Sequence, residues 1–166
     1  RKTLFLFYSR YDISLNLGLA KIPIDRLPPG TSALHAYLAD PAHWTVKPRR
    51  LGGLRNYSGN GVGGSFRFLS FFFPAIDRKS GRIFVAAATL QGLKGARIVV
   101  SGSADGGLTF SVPQKIDDPD KGHQIMAAAA PNGDRLCVLW YDSRNDASFA
   151  PFGPPRALDV YYAELD

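Results

Sequence analysis

The segment Trp140-Tyr141-Asp142-Ser143-Arg144-Asn145-Asp146 concentrates carboxylates and a guanidinium just after an apolar run. A positioned aspartate can pass a proton in an acid–base step, and an arginine fork grips a carboxylate through two parallel hydrogen bonds. Asp142, Arg144 and Asp146 are therefore the candidate catalytic residues. The same residue types also suit an ion pair and an aspartate turn that pin the loop, and such pairs perturb titration without doing chemistry. Tyr8-Ser9-Arg10-Tyr11-Asp12 echoes the segment, which makes Arg10 a candidate substrate ligand with Asp12 beside it. Arg67, between Phe66 and Phe68, alternates away from its aromatic neighbours and suits either a carboxylate ligand or a strand's solvent face. His123, ahead of another apolar run, is a candidate substrate-binding contact or an ordinary loop histidine. Glu164, the only glutamate, shares a strand face with Tyr162 by alternation. Ordinary edge polarity explains it, as does a partnership with that tyrosine.

Several chemistries are disfavoured. His35, His43 and His123 show no metal-ligand spacing, so neither a metal nor a cofactor is expected. Gly59-Asn60-Gly61-Val62-Gly63-Gly64 satisfies G-x-G-x-x-G, but a dinucleotide site needs a buried strand before it and a helix after it. Here a polar loop precedes and Phe66-Arg67-Phe68-Leu69 follows, which reads as a loop. Cys137 lies inside Leu136-Cys137-Val138-Leu139 and reads as a small buried hydrophobe. The net charge is +6, with thirteen arginines against seven lysines. No dense basic block with interleaved aromatics appears, which argues against nucleic acid. No apolar run is long enough for a membrane-spanning helix. Arg1 in place of an initiator Met reads as an excerpt or a processed product.

The elements that must carry these residues are strands. Short apolar runs alternate with Gly, Pro, Asn and Asp turns, the pattern of an all-β chain. Thirteen Asp against one Glu fits, since Asp favours turns. Strands are expected at 4–8, 17–22, 82–88 and 96–101, and then at 124–129, 135–141 and 158–163. The last two groups each run strand, tight turn, strand, loop, strand, at a period of roughly fifty to sixty residues. The echo near Tyr8 places a third, partial unit at the start.

One turn is unusually well specified. Ser103-Ala104-Asp105-Gly106-Gly107-Leu108-Thr109-Phe110 follows the run Arg97-Ile98-Val99-Val100. Asp105 can bond backbone N–H groups, the glycines supply positive φ, Ser103 and Thr109 can bond across the tip, and Phe110 anchors it. The spacing Ser-x-Asp-x-Gly-x-Thr-Phe resembles the Asp-box of sialidase-type β-propellers. Residues 40–45 look like a decayed copy that keeps Asp40 and Trp44. The stretch from Gly122 to Asp166, with Trp140-Tyr141-Asp142-x-Arg144 before Asp159-Val160-Tyr161-Tyr162, is similar to the BNR-repeat, sialidase-like family. The likeness covers about residues 65–166.

This resemblance implies about three four-stranded antiparallel blades of a six-bladed propeller, an incomplete ring. The blades are a degenerate one over 1–51, an Asp-box blade over 66–117 and an incomplete blade over 118–166, with a Gly-rich connector over 52–65. It implies a structural role for Ser103, Asp105, Gly107, Thr109 and Phe110, and a glycan or glycoconjugate partner outside the cytoplasm or in the periplasm. It also implies part of a sialidase-like glycoside hydrolase, with a non-catalytic propeller that binds glycans or proteins as the alternative. Such enzymes use an arginine triad, a Tyr–Glu nucleophile pair and an aspartate acid/base. The family's Phe-Arg-Ile-Pro motif is not reproduced, since Phe68-Leu69 follows Arg67.

Overall fold

The computed structural model describes residues 3–10, 14–40, 42, 49–55, 73–90, 92–151, 153 and 155–166. They form mostly antiparallel β structure in three sheets. The first contains β1 (Thr3–Arg10), β2 (Ser14–Pro23) and β3 (Arg49–Arg55), in the order β1-β2-β3. The second is a four-stranded meander of β4 (Phe73–Ile76), β5 (Ile83–Leu90), β6 (Ala96–Ser103) and β7 (Gln114–Lys115). The third is a meander of β8 (Gln124–Asn132), β9 (Arg135–Asp142) and β10 (Asp159–Leu165). The repeated order of strand, tight turn, strand, loop, strand is present in the second and third sheets.

The expected all-β character holds, and the described residues include one helix, α1, over Thr31–Ala39. Gly30, at φ 89°, turns the chain into this helix, and its carbonyl accepts from the Leu34 amide at 3.0 Å. Ala33, Leu34, Ala36, Leu38 and Ala39 are good helix formers. The helix stops at Asp40, whose ψ of 111° is extended, as expected of a residue before a proline. The start of the Gly-rich connector expected over 52–65 is strand instead, since Gly52–Arg55 belong to β3. Backbone pairing with β2 (Ser14 with Arg55, Asn16 with Arg50) fixes this edge strand despite its two glycines. Residues 56–72, with the glycine motif and Arg67, lie outside the described residues, as do Asp12 and 43–45 of the decayed box.

Tight turns set the register. Asp77 accepts from the amides of Lys79 (2.9 Å) and Ser80 (3.2 Å), which closes the β4–β5 turn with Gly81 at φ 73°. Gly133 occupies the first central position of the two-residue β8–β9 loop at φ 67°, where a type II′ hairpin needs glycine. Alternation along β9 then turns Leu136, Val138, Trp140 and Asp142 inward. Leu136, Val138 and Trp140 join Ile125 and Ala127 of β8 and the small residues Ala75, Ala86 and Ala88 of the second sheet, with Ile98, in the main core. Large side chains on one sheet against small ones on the other let the layers interlock.

The second sheet is also buried on its other face, through Ile83, Val85, Ala87 and Val99. On that side β3 approaches β5. Burial on both faces explains why Ile83–Leu90 is continuously apolar apart from Thr89 rather than alternating.

Candidate functional site

Four of the candidates, Asp142, Arg144, Asp146 and His123, lie at one end of the second and third sheets, where β9 ends and β6, β8 and β10 begin. Asp142 pairs in register with Gln124 and Asp159 and is wholly buried. Its Oδ2 accepts from Trp140 Nε1 (3.0 Å), Gln124 Nε2 (3.2 Å) and Arg144 Nη2 (2.6 Å), and its Oδ1 accepts from the Arg144 amide (2.8 Å). Burial by itself pushes the carboxyl up. The donors together outweigh it, Arg144 foremost, and hold the group below its ordinary value.

Arg144 donates to Asp117 as well, and its guanidinium lies 4.0 Å over the centre of the Tyr161 ring. Its hydrogen bond to Asp142 raises its pKa further, so it stays charged. Its Nε is the only buried side-chain polar atom without a hydrogen-bond partner among the described residues. Next to it, Asn145 Nδ2 donates to Asp159 (2.9 Å) and to the Tyr161 hydroxyl (3.2 Å). The solvent-facing rim of the cluster is thus Asp117, Arg144, Asn145 and Tyr161.

Asp146 is committed to its own loop. Oδ1 accepts from the amide and hydroxyl of Ser148 (2.8 and 2.7 Å), and Oδ2 from the amides of Arg156 (2.7 Å) and Ala157 (3.3 Å). The Ser148 hydroxyl leads the effects that depress its pKa. One carboxylate therefore closes the long β9–β10 loop.

His123 is buried at 1% exposure. Its Nδ1 lies 3.3 Å from the Ala96 amide, which donates to it, leaving the ring proton on Nε2 facing the Ala150 carbonyl at 3.2 Å. Both ring nitrogens serve the interior, and Phe149 packs on the ring at 5.1 Å. Desolvation keeps the imidazole neutral by lowering its pKa. This placement sets the ring inside the fold instead of at a rim.

Two residues that the sequence did not single out hold this end together. Arg97 is fully buried and donates to the carbonyls of Ala96 (2.9 Å), Gly122 (2.7 Å) and Pro119 (2.5 Å), and through Nε to Asp118 (3.3 Å). Gln124 accepts from the Ile98 amide at 3.0 Å while donating to Asp142, so one side chain ties β8 and β9 to β6. Gly122, at φ 107°, permits the close passage of this loop over Arg144, since a Cβ there would sit 2.6 Å from the Arg144 nitrogen. No local signal marks Arg97 or Gln124, because each begins a strand in a way that suits a solvent-facing residue.

The Asp105 turn lies at the opposite end, since Ser103 pairs with Ile83 at the start of β5. Asp105 accepts from the Ser103 hydroxyl (2.8 Å) and from the amide (2.9 Å) and hydroxyl (2.5 Å) of Thr109. The Gly107 amide donates to Ser103 Oγ at 2.8 Å, and Gly106 and Gly107 have φ of 72° and 90°. Bonding from Thr109 leads the effects that depress the Asp105 pKa. Phe110 is half-buried beside the turn.

Arg10 ends β1 opposite Asn16. Glu164 pairs with Arg135 at 2.8 Å across β9 and β10. Among the described residues no group of three His, Cys, Asp or Glu gathers to hold a metal, and no helix is long and apolar enough to cross a membrane. Compared with known proteins, the chain matches no family model and no curated protein.

Proposed function

We propose that the chain is part of a sialidase-like β-propeller that engages glycans outside the cytoplasm. What carries this reading is the Asp105 turn, which joins the third and fourth strands of a four-stranded meander stacked on a second meander of the same order. The turn leaves its own polar groups satisfied, so recognition falls to the opposite end, at the rim of Arg144, Asn145, Tyr161 and Asp117.

Hydrolysis and binding alone are the two forms this function can take. An acid/base carboxyl must reach its substrate and hold a pKa near the working pH. Asp142 and Asp146 each accept four hydrogen bonds inside the protein and have depressed pKa values, which favours binding alone for these residues. The test is a glycan array run beside a fluorogenic sialoside assay. Glycan binding without turnover is the expected result. Turnover would restore the hydrolase form, and neither binding nor turnover would overturn the glycan reading.

A further inference from the structure

The buried His123 joins three elements. Its backbone is fixed just past the end of β9, where its amide donates to Ser143 Oγ at 2.7 Å and its carbonyl accepts from the Ser143 amide at 3.1 Å. Its ring spans from β6 to the long β9–β10 loop, with Nδ1 accepting from the Ala96 amide and Nε2 donating to the Ala150 carbonyl. The two walls differ. On the β6 side backbone presses close, since a Cβ at Gly95 would lie 3.1 Å from Nδ1 and 2.3 Å from the Gly122 carbonyl oxygen. On the loop side Phe149 is half-buried and Ala150 exposed, so that wall yields more easily.

This cage fits only the neutral ring. A second proton, on Nδ1, would aim at the Ala96 N–H, setting donor against donor. It would also add a buried cation beside Arg97, which reaches the carbonyls of Ala96 and Gly122. The carboxylates of the surrounding elements are bound to other groups. Asp142 of β9 holds Gln124, Trp140 and Arg144, and Asp146 holds Ser148, Arg156 and Ala157. Ahead of β8, Asp117 holds Arg144, and Asp118 holds Arg97 and Lys115. Lys94, Asp120, Lys121 and Arg156 are exposed to solvent.

We propose that His123 is an acid-operated latch on the β9–β10 loop. On gaining a proton the ring leaves Ala96, and Phe149 and Ala150 swing outward with it. The base of the loop stays closed, because the Asp146 carboxylate keeps the Ser148, Arg156 and Ala157 amides and loses its charge only in stronger acid. Mild acid thus reshapes the loop beside Arg144 and Asn145 while the sheets stay packed. This inference does not rest on the glycan reading.

The test is an NMR titration of the full chain from pH 7 to 5, with amide protection corrected for intrinsic exchange at each pH. Protection of the Ala96 amide should fall about tenfold over this range, since an open latch frees a histidine of ordinary pKa near 6.5. The Phe149 and Ala150 amide shifts should move with the same midpoint as the His123 ring, while the Arg156 and Ala157 amides keep their protection. His123→Gln carries no titrating group, so its profile at Ala96, Phe149 and Ala150 should be flat from pH 7 to 5, whichever position its loop adopts. Equal loss of protection at Arg156 and Ala157, constant protection at Ala96, or a pH response retained in the variant would each overturn the proposal.

Discussion

Two aspartate-centred clusters stand at opposite ends of the stacked sheets and stabilise the protein in different ways. The Asp105 cluster draws every partner from residues 103–109 and sits in an exposed turn. The Asp142 cluster draws on β6, β8, β9 and two loops, and its aspartate is fully buried. A local clasp fixes one turn, whereas the buried node fixes the position of one sheet on another. Loss of the node should therefore disturb far more than loss of the clasp.

The largest effect is expected at the node. Asp142→Ala strands a buried tryptophan N–H, a glutamine amide and one side of Arg144, and should lower unfolding free energy by about 3–5 kcal/mol in urea titration. Gly122→Ala should follow, at roughly 1–3 kcal/mol from its left-handed backbone, with displacement of Arg144 added. Asp105→Ala should shift the urea midpoint least of the three and leave near-UV circular dichroism around Trp140 unchanged. A shift equal to that of Asp142→Ala would erase the contrast between the two ends.

The buried end should also show itself in acid. His123 has a depressed folded pKa, so the unfolded chain binds its proton more readily. Stability from this group is complete above its unfolded value near 6.5 and declines as pH falls below it. Asp142, Asp146 and Asp105 also have depressed values, and their contribution is complete above about pH 4 and declines below it. Urea midpoints between pH 7 and 2 should fall in two stages, and His123→Gln should flatten the upper one. A single fall below pH 4 in the wild-type chain would contradict the buried neutral imidazole.

The contrast explains what could be read from the sequence. The Asp105 turn was legible down to its hydroxyl partners because each lies within four residues, where spacing and glycine positions specify geometry. Most of the strands and the repeat of the meander were legible from short apolar runs and turn residues. α1 was not, because its nine residues bury no side chain and show no apolar stripe. The node was half legible: the Asp142–Arg144 pair lies two residues apart, but Gln124 joins it through the β8–β9 pairing, and Arg97 and Asp117 only through the stacking of sheets. Their residue types alone suit solvent, and nothing local says that Arg97 has no exposure at all.

A double-mutant cycle tests the central contrast most directly. Asp142→Asn should couple to Gln124→Leu by about 1 kcal/mol or more, as contacting residues in one hydrogen-bond network do. Asp142→Asn and Asp105→Ala should be additive within about 0.5 kcal/mol, as separate sites are. Additivity within the node, or coupling between the two ends, would contradict the assignment of one buried tie between sheets and one self-contained clasp.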